Sequence, residues 1–177
     1  MTLKRRGFTL VELLVVISVI ALLAGLTATV IVRQGHRPRA TKTMGRVHQI
    51  KLAIEQFRLE NNQYPWALPV DDTTSPVIVF ADVAKELNPS NANLSGTVKF
   101  NLSKRDYLAF TNSGSVKEIN SSGQVVDPWS NEYKIHWDTK LDRVIIWSRG
   151  PDGNDDTTNY INNGMSGSLG DDITSMK

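Results

Sequence analysis

Between Phe8 and Val32 stand 25 residues, 19 of them apolar, and the only charge among them is Glu12. From Leu13 to Val32 the chain runs 20 residues with no charge at all. A helix of that length reaches about 30 Å, the hydrocarbon thickness of a bilayer. The rest of the 177-residue chain has ordinary polar composition. The chain therefore divides into one expected membrane helix and one soluble domain. A cleaved secretory signal fits poorly: its apolar core is shorter, and cuts after Ala24 or Ala28 place Leu22 or Leu26 where a small residue is needed. A plain single-pass anchor is compatible with the length alone.

The residues at the start of the run narrow this further. Lys4-Arg5-Arg6-Gly7-Phe8-Thr9-Leu10-Val11-Glu12 joins a short basic leader to a Gly–Phe junction and an immediate apolar helix. This stretch resembles the processing motif of the family of type IV pilins and type II secretion pseudopilins. The resemblance implies that a prepilin peptidase cuts after Gly7, that Phe8 is then N-methylated, and that Glu12 serves filament assembly. Glycine at the cut suits an extended backbone in a protease site. A lone carboxylate in hydrocarbon is costly, so an acid here is a functional candidate. Glu12 is expected to pair with the new Phe8 amine of a neighbouring subunit, in a low dielectric that penalises any unpaired register. Solvation among headgroups is the simpler alternative for the residues alone.

Orientation is contested within the sequence. Arg33, Arg37, Arg39, Lys42 and Arg46 follow the apolar run, against three cations in the leader. The positive-inside rule by itself puts the domain in the cytoplasm. The resemblance implies the reverse, with the leader inside and the domain periplasmic.

Met44, Val47, Ile50, Ile54 and Phe57 recur at helical spacing, so the helix is expected to continue to about Asn61 with this stripe in a core. Gly35 and Pro38 should interrupt it. A short helix is expected over Pro76–Leu87 with Ser75 as its cap. Tyr107–Thr111, Tyr133–Trp137 and Arg143–Ser148 read as strands, and the chain from Arg149 onward as polar loop. Further stretches resemble the major type II secretion pseudopilin: Asn62-Gln63-Tyr64-Pro65, Asp127-Pro128-Trp129-Ser130-Asn131-Glu132-Tyr133, Ser148-Arg149-Gly150-Pro151-Asp152-Gly153, and Asp171-Asp172-Ile173. Ser130 and Glu132 depart from that pattern, Met176 stands where the family often has tryptophan, and the loop from Asp152 to Asp171 is long. The implied fold is α+β and type IV pilin-like: a long N-terminal helix whose second half packs on a small antiparallel sheet. Residues 1–7 are the leader, 8–32 the membrane and filament-core helix, and 33–177 the periplasmic domain. Within that domain 33–62 continue the helix, 63–147 hold a variable region and the sheet, and 148–177 form an acidic C-terminal loop.

That loop carries Asp152, Asp155, Asp156, Asp171 and Asp172, with Arg149 and Lys177 as its cations. Calcium takes several oxygen ligands at once. Asp152-x-Asn154-x-Asp156 begins like an EF-hand, but Thr157 replaces the required glycine and Asn163 the closing glutamate. A solvated acidic turn is the plain alternative. The resemblance implies a structural calcium here, held by Asp152 with Asp171 or Asp172, and less directly by Asp155 and Asp156.

No catalytic pattern emerges. The three histidines, His36, His48 and His136, have no metal-pair spacing, and no nucleophile elbow or phosphate loop occurs. The chain has no cysteine, which excludes disulfides, thiolate-bound metals and cysteine nucleophiles. A formal charge of +2 gives no bulk attraction for nucleic acid. The implied function is a structural subunit of a periplasmic pseudopilus that aids protein export across the outer membrane. Its implied partners are further copies of itself, minor pseudopilins, prepilin peptidase and an inner-membrane assembly platform. A type IV or minor pilin is the alternative within the family, and a membrane-anchored periplasmic binding domain is the alternative of another class.

Overall fold

The computed structural model describes residues 9–34, 37–67, 78–113, 116–138, 141–166 and 168–176. Side chains are described for these except at 25–34, 37, 113 and 116. The chain divides into two compact units, Met1–Pro38 and Arg39–Lys177. The leader, with Gly7 and Phe8, lies outside the described residues, as do Ser75 and Pro76.

The first unit contains helix α1, Leu10–Gln34. Helix α2 spans Arg37–Asn61. Pro38 stands in the first turn of α2, where the missing N–H breaks no helical bond. The interruption expected at Gly35 and Pro38 falls at residues 35–36, which lie outside the described residues.

In the second unit, Val47, Ile50, Ile54 and Phe57 of α2 are all fully buried, as their helical spacing predicts. Met44 departs from the expected stripe and is 38% exposed. Its place is taken by Thr43, buried because its hydroxyl donates to the Arg39 carbonyl at 2.9 Å and so needs no water. Helix α3, Phe80–Leu87, adds Phe80, Val83, Ala84 and Leu87 to the same core. It begins four residues after the expected Pro76, because Ile78 and Val79 are extended and Val79 is the cap residue without a side-chain hydrogen bond.

Strands β1, Asn112–Ser113, and β2, Val116–Lys117, form a small antiparallel pair. The strand expected at Tyr107–Thr111 does not form. Those residues lie over the end of α3, with the amides of Tyr107 and Leu108 both donating to the Leu87 carbonyl. The main sheet has the order β3-β4-β5 and is antiparallel throughout. Its strands are Lys134–Asp138, Arg143–Ser148 and Ile173–Thr174. The expected strands at Tyr133–Trp137 and Arg143–Ser148 are thus present, the first shifted by one residue.

β4 is the central strand, and residues 144–148 are buried without alternation. Val144 and Ile146 point into the core below α2 and α3. Ile145 and Trp147 are buried on the other face. There the Trp147 indole donates to Asp155 at 3.0 Å, so the C-terminal segment covers that side. A strand covered on both faces reads as a continuous apolar run.

The end of α2 is tied to the β3–β4 turn by a polar group. The Asp142 carboxylate accepts from Arg58 and from the Tyr64 hydroxyl, the latter at 2.9 Å. The guanidinium also lies 4.7 Å from the Tyr64 ring centre. Arg58 holds the Asp142 carboxyl below its usual range, with Tyr64 adding to the effect. A depressed carboxyl stabilises the fold above its unfolded value, about 3.9, and that contribution is lost as pH falls through the lower folded value. The pair is largely exposed, so its worth is under about 1 kcal/mol. Asp142→Asn should lower the thermal midpoint at pH 6, and the deficit should close below about pH 3.9. Unfolding curves of both proteins across this range check it.

Candidate functional site

Two places carry the residues singled out by the sequence. The first is the start of α1. Thr9 precedes the helix, and its Oγ1 accepts from the Glu12 amide at 3.3 Å. Glu12 Oε2 in turn accepts from the Thr9 amide and the Thr9 hydroxyl, each at 2.8 Å. This reciprocal arrangement is a capping box. The pattern Thr9-Leu10-Val11-Glu12 carries that signal in the sequence. An acid in the first turn also suits the positive end of the helix. From Leu10 to Leu23, 11 large apolar side chains are exposed, none less than 48%. The Ser18 hydroxyl donates to the Val15 carbonyl at 2.8 Å, so it adds no unpaired polar group to that surface. Among the described residues no helix is long and apolar enough to cross a membrane, and the described side chains of α1 end at Ala24.

The second place is the acidic C-terminal loop. The β4–β5 pairing sets Ser148 opposite Ile173 and so brings the two ends of the loop together. Helix α4, Asp156–Asn162, forms within it, in a stretch read from sequence as loop. Asp155 is the cap of α4: its Oδ1 accepts from the Thr158 amide at 3.0 Å and from the Trp147 indole. Asp156 is the first residue of the helix. The result is that Asp152, Asp156 and Asp171 each bring a carboxylate oxygen within 4.8 Å of the others.

Two glycines make room for this group. A Cβ on Gly150 would stand 2.8 Å from Asp171 Oδ2, and one on Gly170 would stand 1.8 Å from Asp156 Oδ2. The loop is braced from below by the Asp127–Asn131 turn. The buried Asp127 accepts from the Trp129 and Asn131 amides at 2.9 Å each and from the Ser148 hydroxyl. The Asn131 amide group donates to the Gly150 carbonyl at 2.9 Å.

Asp172 lies apart from the three. It is 6% exposed, and its Oδ2 accepts from the Thr157 amide at 2.6 Å. Its Oδ1 and the Thr157 hydroxyl are buried without a partner. Burial pushes the Asp172 carboxyl up, against the opposing effect of Thr157. Asp152 is instead held low by the Asn154 amides. Of the five acids, then, three converge, Asp155 caps a helix and Asp172 backs the loop.

The donor set fits a hard cation. Oxygens bound to one calcium at 2.3–2.6 Å lie no more than about 5 Å apart. Among the described residues none of the three carboxylates has an ion pair that would compete. No histidine joins them. His136 is half-buried in β3, where burial lowers its basicity, and His48 is exposed on α2.

Residues 2–28 match the prokaryotic N-terminal methylation motif. Over nearly its whole length the chain is similar to proteins named type II secretion system core protein G. The relative from Escherichia coli K12 is 27% identical over 161 residues, 89% of this chain and 92% of its own. That from Dickeya chrysanthemi is 22% identical, over 90% of this chain and 86% of its own. That from Klebsiella pneumoniae is 24% identical, over 89% and 95%. No solved structure matches significantly. An α+β fold thus stands beside a prepilin-type N-terminal motif. The chain is similar over nearly its whole length to proteins named as core protein G of type II secretion, and this supports a pseudopilin subunit.

Gly164 and Gly170 both have positive φ, +66° and +54°, but only Gly170 faces a carboxylate. An alanine at either position meets the left-handed penalty of about 1–2 kcal/mol. Gly170→Ala should cost clearly more than Gly164→Ala, because it also displaces Asp156. Urea midpoints of the two variants test this.

Proposed function

We propose that the chain is processed and assembled as a pseudopilus subunit in the cell envelope. The observation that carries this is the methylation motif at residues 2–28, joined to core protein G similarity across about 90% of the chain. In this reading prepilin peptidase cuts between Gly7 and Phe8 and Phe8 is methylated. α1 then holds the subunit in the inner membrane, with the domain in the periplasm. Its exposed apolar side chains need a nonaqueous partner, which lipid supplies before assembly and neighbouring helices supply in a filament. Glu12 passes from its own cap to the Phe8 amine of a neighbour. The self-made cap makes the waiting carboxylate tolerable in an apolar setting. The filament aids export through an outer-membrane channel, with minor pseudopilins and an assembly platform as partners. The work is mechanical and needs no catalytic group.

Calcium belongs to the same proposal. Asp152, Asp156 and Asp171 would hold it, with carbonyls and water completing the shell. When bound, the ion supplies charge neutralisation and staples the loop. The chain's own residues do the positioning: the β4–β5 pairing joins the loop ends, and Gly150 and Gly170 leave space for two of the carboxylates.

Expression with and without a prepilin peptidase, followed by intact mass, tests the processing. Loss of Met1–Gly7 plus one methyl group is expected, and an unprocessed chain in a competent host overturns the reading. For calcium, the thermal midpoint should rise by about 5–10 °C at a hundredfold excess over the dissociation constant. Asp171→Ala should abolish the rise. An unchanged midpoint on adding chelator to the wild type removes the metal claim.

A further inference from the structure

A groove of about 680 Å³ lies beside the first half of α2, with Arg39, Lys42, Arg46 and Lys117 among its walls. Its two acids are already committed. Glu118 pairs with Arg46 at 2.7 Å and accepts from the Thr111 amide. Asp127 is taken up by Ser148 and by the Trp129 and Asn131 amides. Arg39, Lys42 and Lys117 are exposed and have no ion pair among the described residues. Cations at this end of a helix do not serve the helix. α2 has no acid in its first turn, and its positive end disfavours Arg39 there. The groove is thus a place where positive charge has been gathered against local preference, with its own acids neutralised.

We propose that this groove binds the phosphate headgroups of anionic phospholipids. The proposal rests on the reading of α1 as a membrane anchor. Arg39 follows Val32, the last residue of the uncharged run, by seven residues. Even fully extended, seven residues reach no more than about 25 Å. The groove's near end is therefore tethered within that distance of the hydrocarbon edge, where headgroup phosphates are by far the most concentrated anions. An acidic segment of another copy has no such tether. Each Lys or Arg brought to an anionic surface contributes about 1 kcal/mol, a factor of about five. This also accounts for the cations that follow the apolar run. They oppose the orientation the family implies, and the groove gives two of them, Arg39 and Lys42, a use on the far side of the membrane.

The absence of cysteine makes a clean test available. Ser130→Cys, at the exposed rim of the groove, carries a single fluorophore on the full chain in nanodiscs holding one copy each. All discs contain a trace of headgroup-spin-labelled lipid as quencher. Quenching should be strong in discs containing phosphatidylglycerol and weak in pure phosphatidylcholine. It should fall about fivefold for each of Arg39→Gln, Lys42→Gln and Lys117→Gln. Near-UV circular dichroism confirms that each variant is folded.

Equal quenching in the two lipids overturns the proposal. So does full displacement by inorganic phosphate, which would indicate a small-anion site. A signal that appears only with several copies per disc also overturns it, in favour of an acidic segment of a second copy. Release of the chain from discs by high salt would instead remove the anchor reading itself. Retention in the disc without lipid preference removes only the groove.

Discussion

Everything in the second unit depends on the burial of one face of α2. Val47, Ile50, Ile54 and Phe57 have no exposed surface and share one core with Phe80, Val83 and Leu87 of α3 and Val144 and Ile146 of β4. Each such side chain contributes about 1.5–3 kcal/mol on burial. That contact fixes where β4 runs. β4 in turn recruits β5, and the β4–β5 pairing decides where Asp152 and Asp171 lie. The acidic loop is therefore a consequence of the core, several steps removed.

The parts that were legible in the sequence are those with a period or a strong local signal. Residues 44–57 of α2 announced themselves by helical spacing, and β4 by an unbroken apolar run. The prepilin motif was legible because it is local and ordered. What escaped has a physical reason in each case. α4 has little apolar periodicity, since only Thr157 of its seven residues is buried. It starts where it does because Asp155 caps it and the loop closes around it. β5 has two residues, too few for alternation to show. Tyr107–Thr111 looked like a strand from its residue types, but the amides of Tyr107 and Leu108 go to the Leu87 carbonyl at the end of α3.

The candidate site shows the same division. Five aspartates were visible in sequence, but their separate uses were not. Asp155 and Asp156 are adjacent, and helix geometry sends one to cap α4 and leaves the other to face Asp152 and Asp171. Asp171 and Asp172 are likewise adjacent, yet one is exposed in the acidic group and the other is buried against Thr157. The turn closed by the Asp172 amide on the Leu169 carbonyl precedes β5, and the two acids part there. Gly150 and Gly170 look like ordinary loop glycines in the sequence, but carboxylate oxygens occupy the space that a Cβ would need.

The two ends of the molecule handle carboxylates by opposite means. Glu12 stands alone in an apolar helix and is answered from within three residues, by the amide and hydroxyl of Thr9. That answer is local, confined to the first turn of α1. Asp152, Asp156 and Asp171 stand together and repel one another, and the Asn154 amides answer only Asp152 from nearby in sequence. Their convergence is imposed by the β4–β5 pairing and by the cap on α4. Three like charges held at such range raise the energy of the empty loop, and a divalent cation converts that repulsion into attraction. One acid is thus satisfied by its own helix start, while the other three are held together by the fold around them.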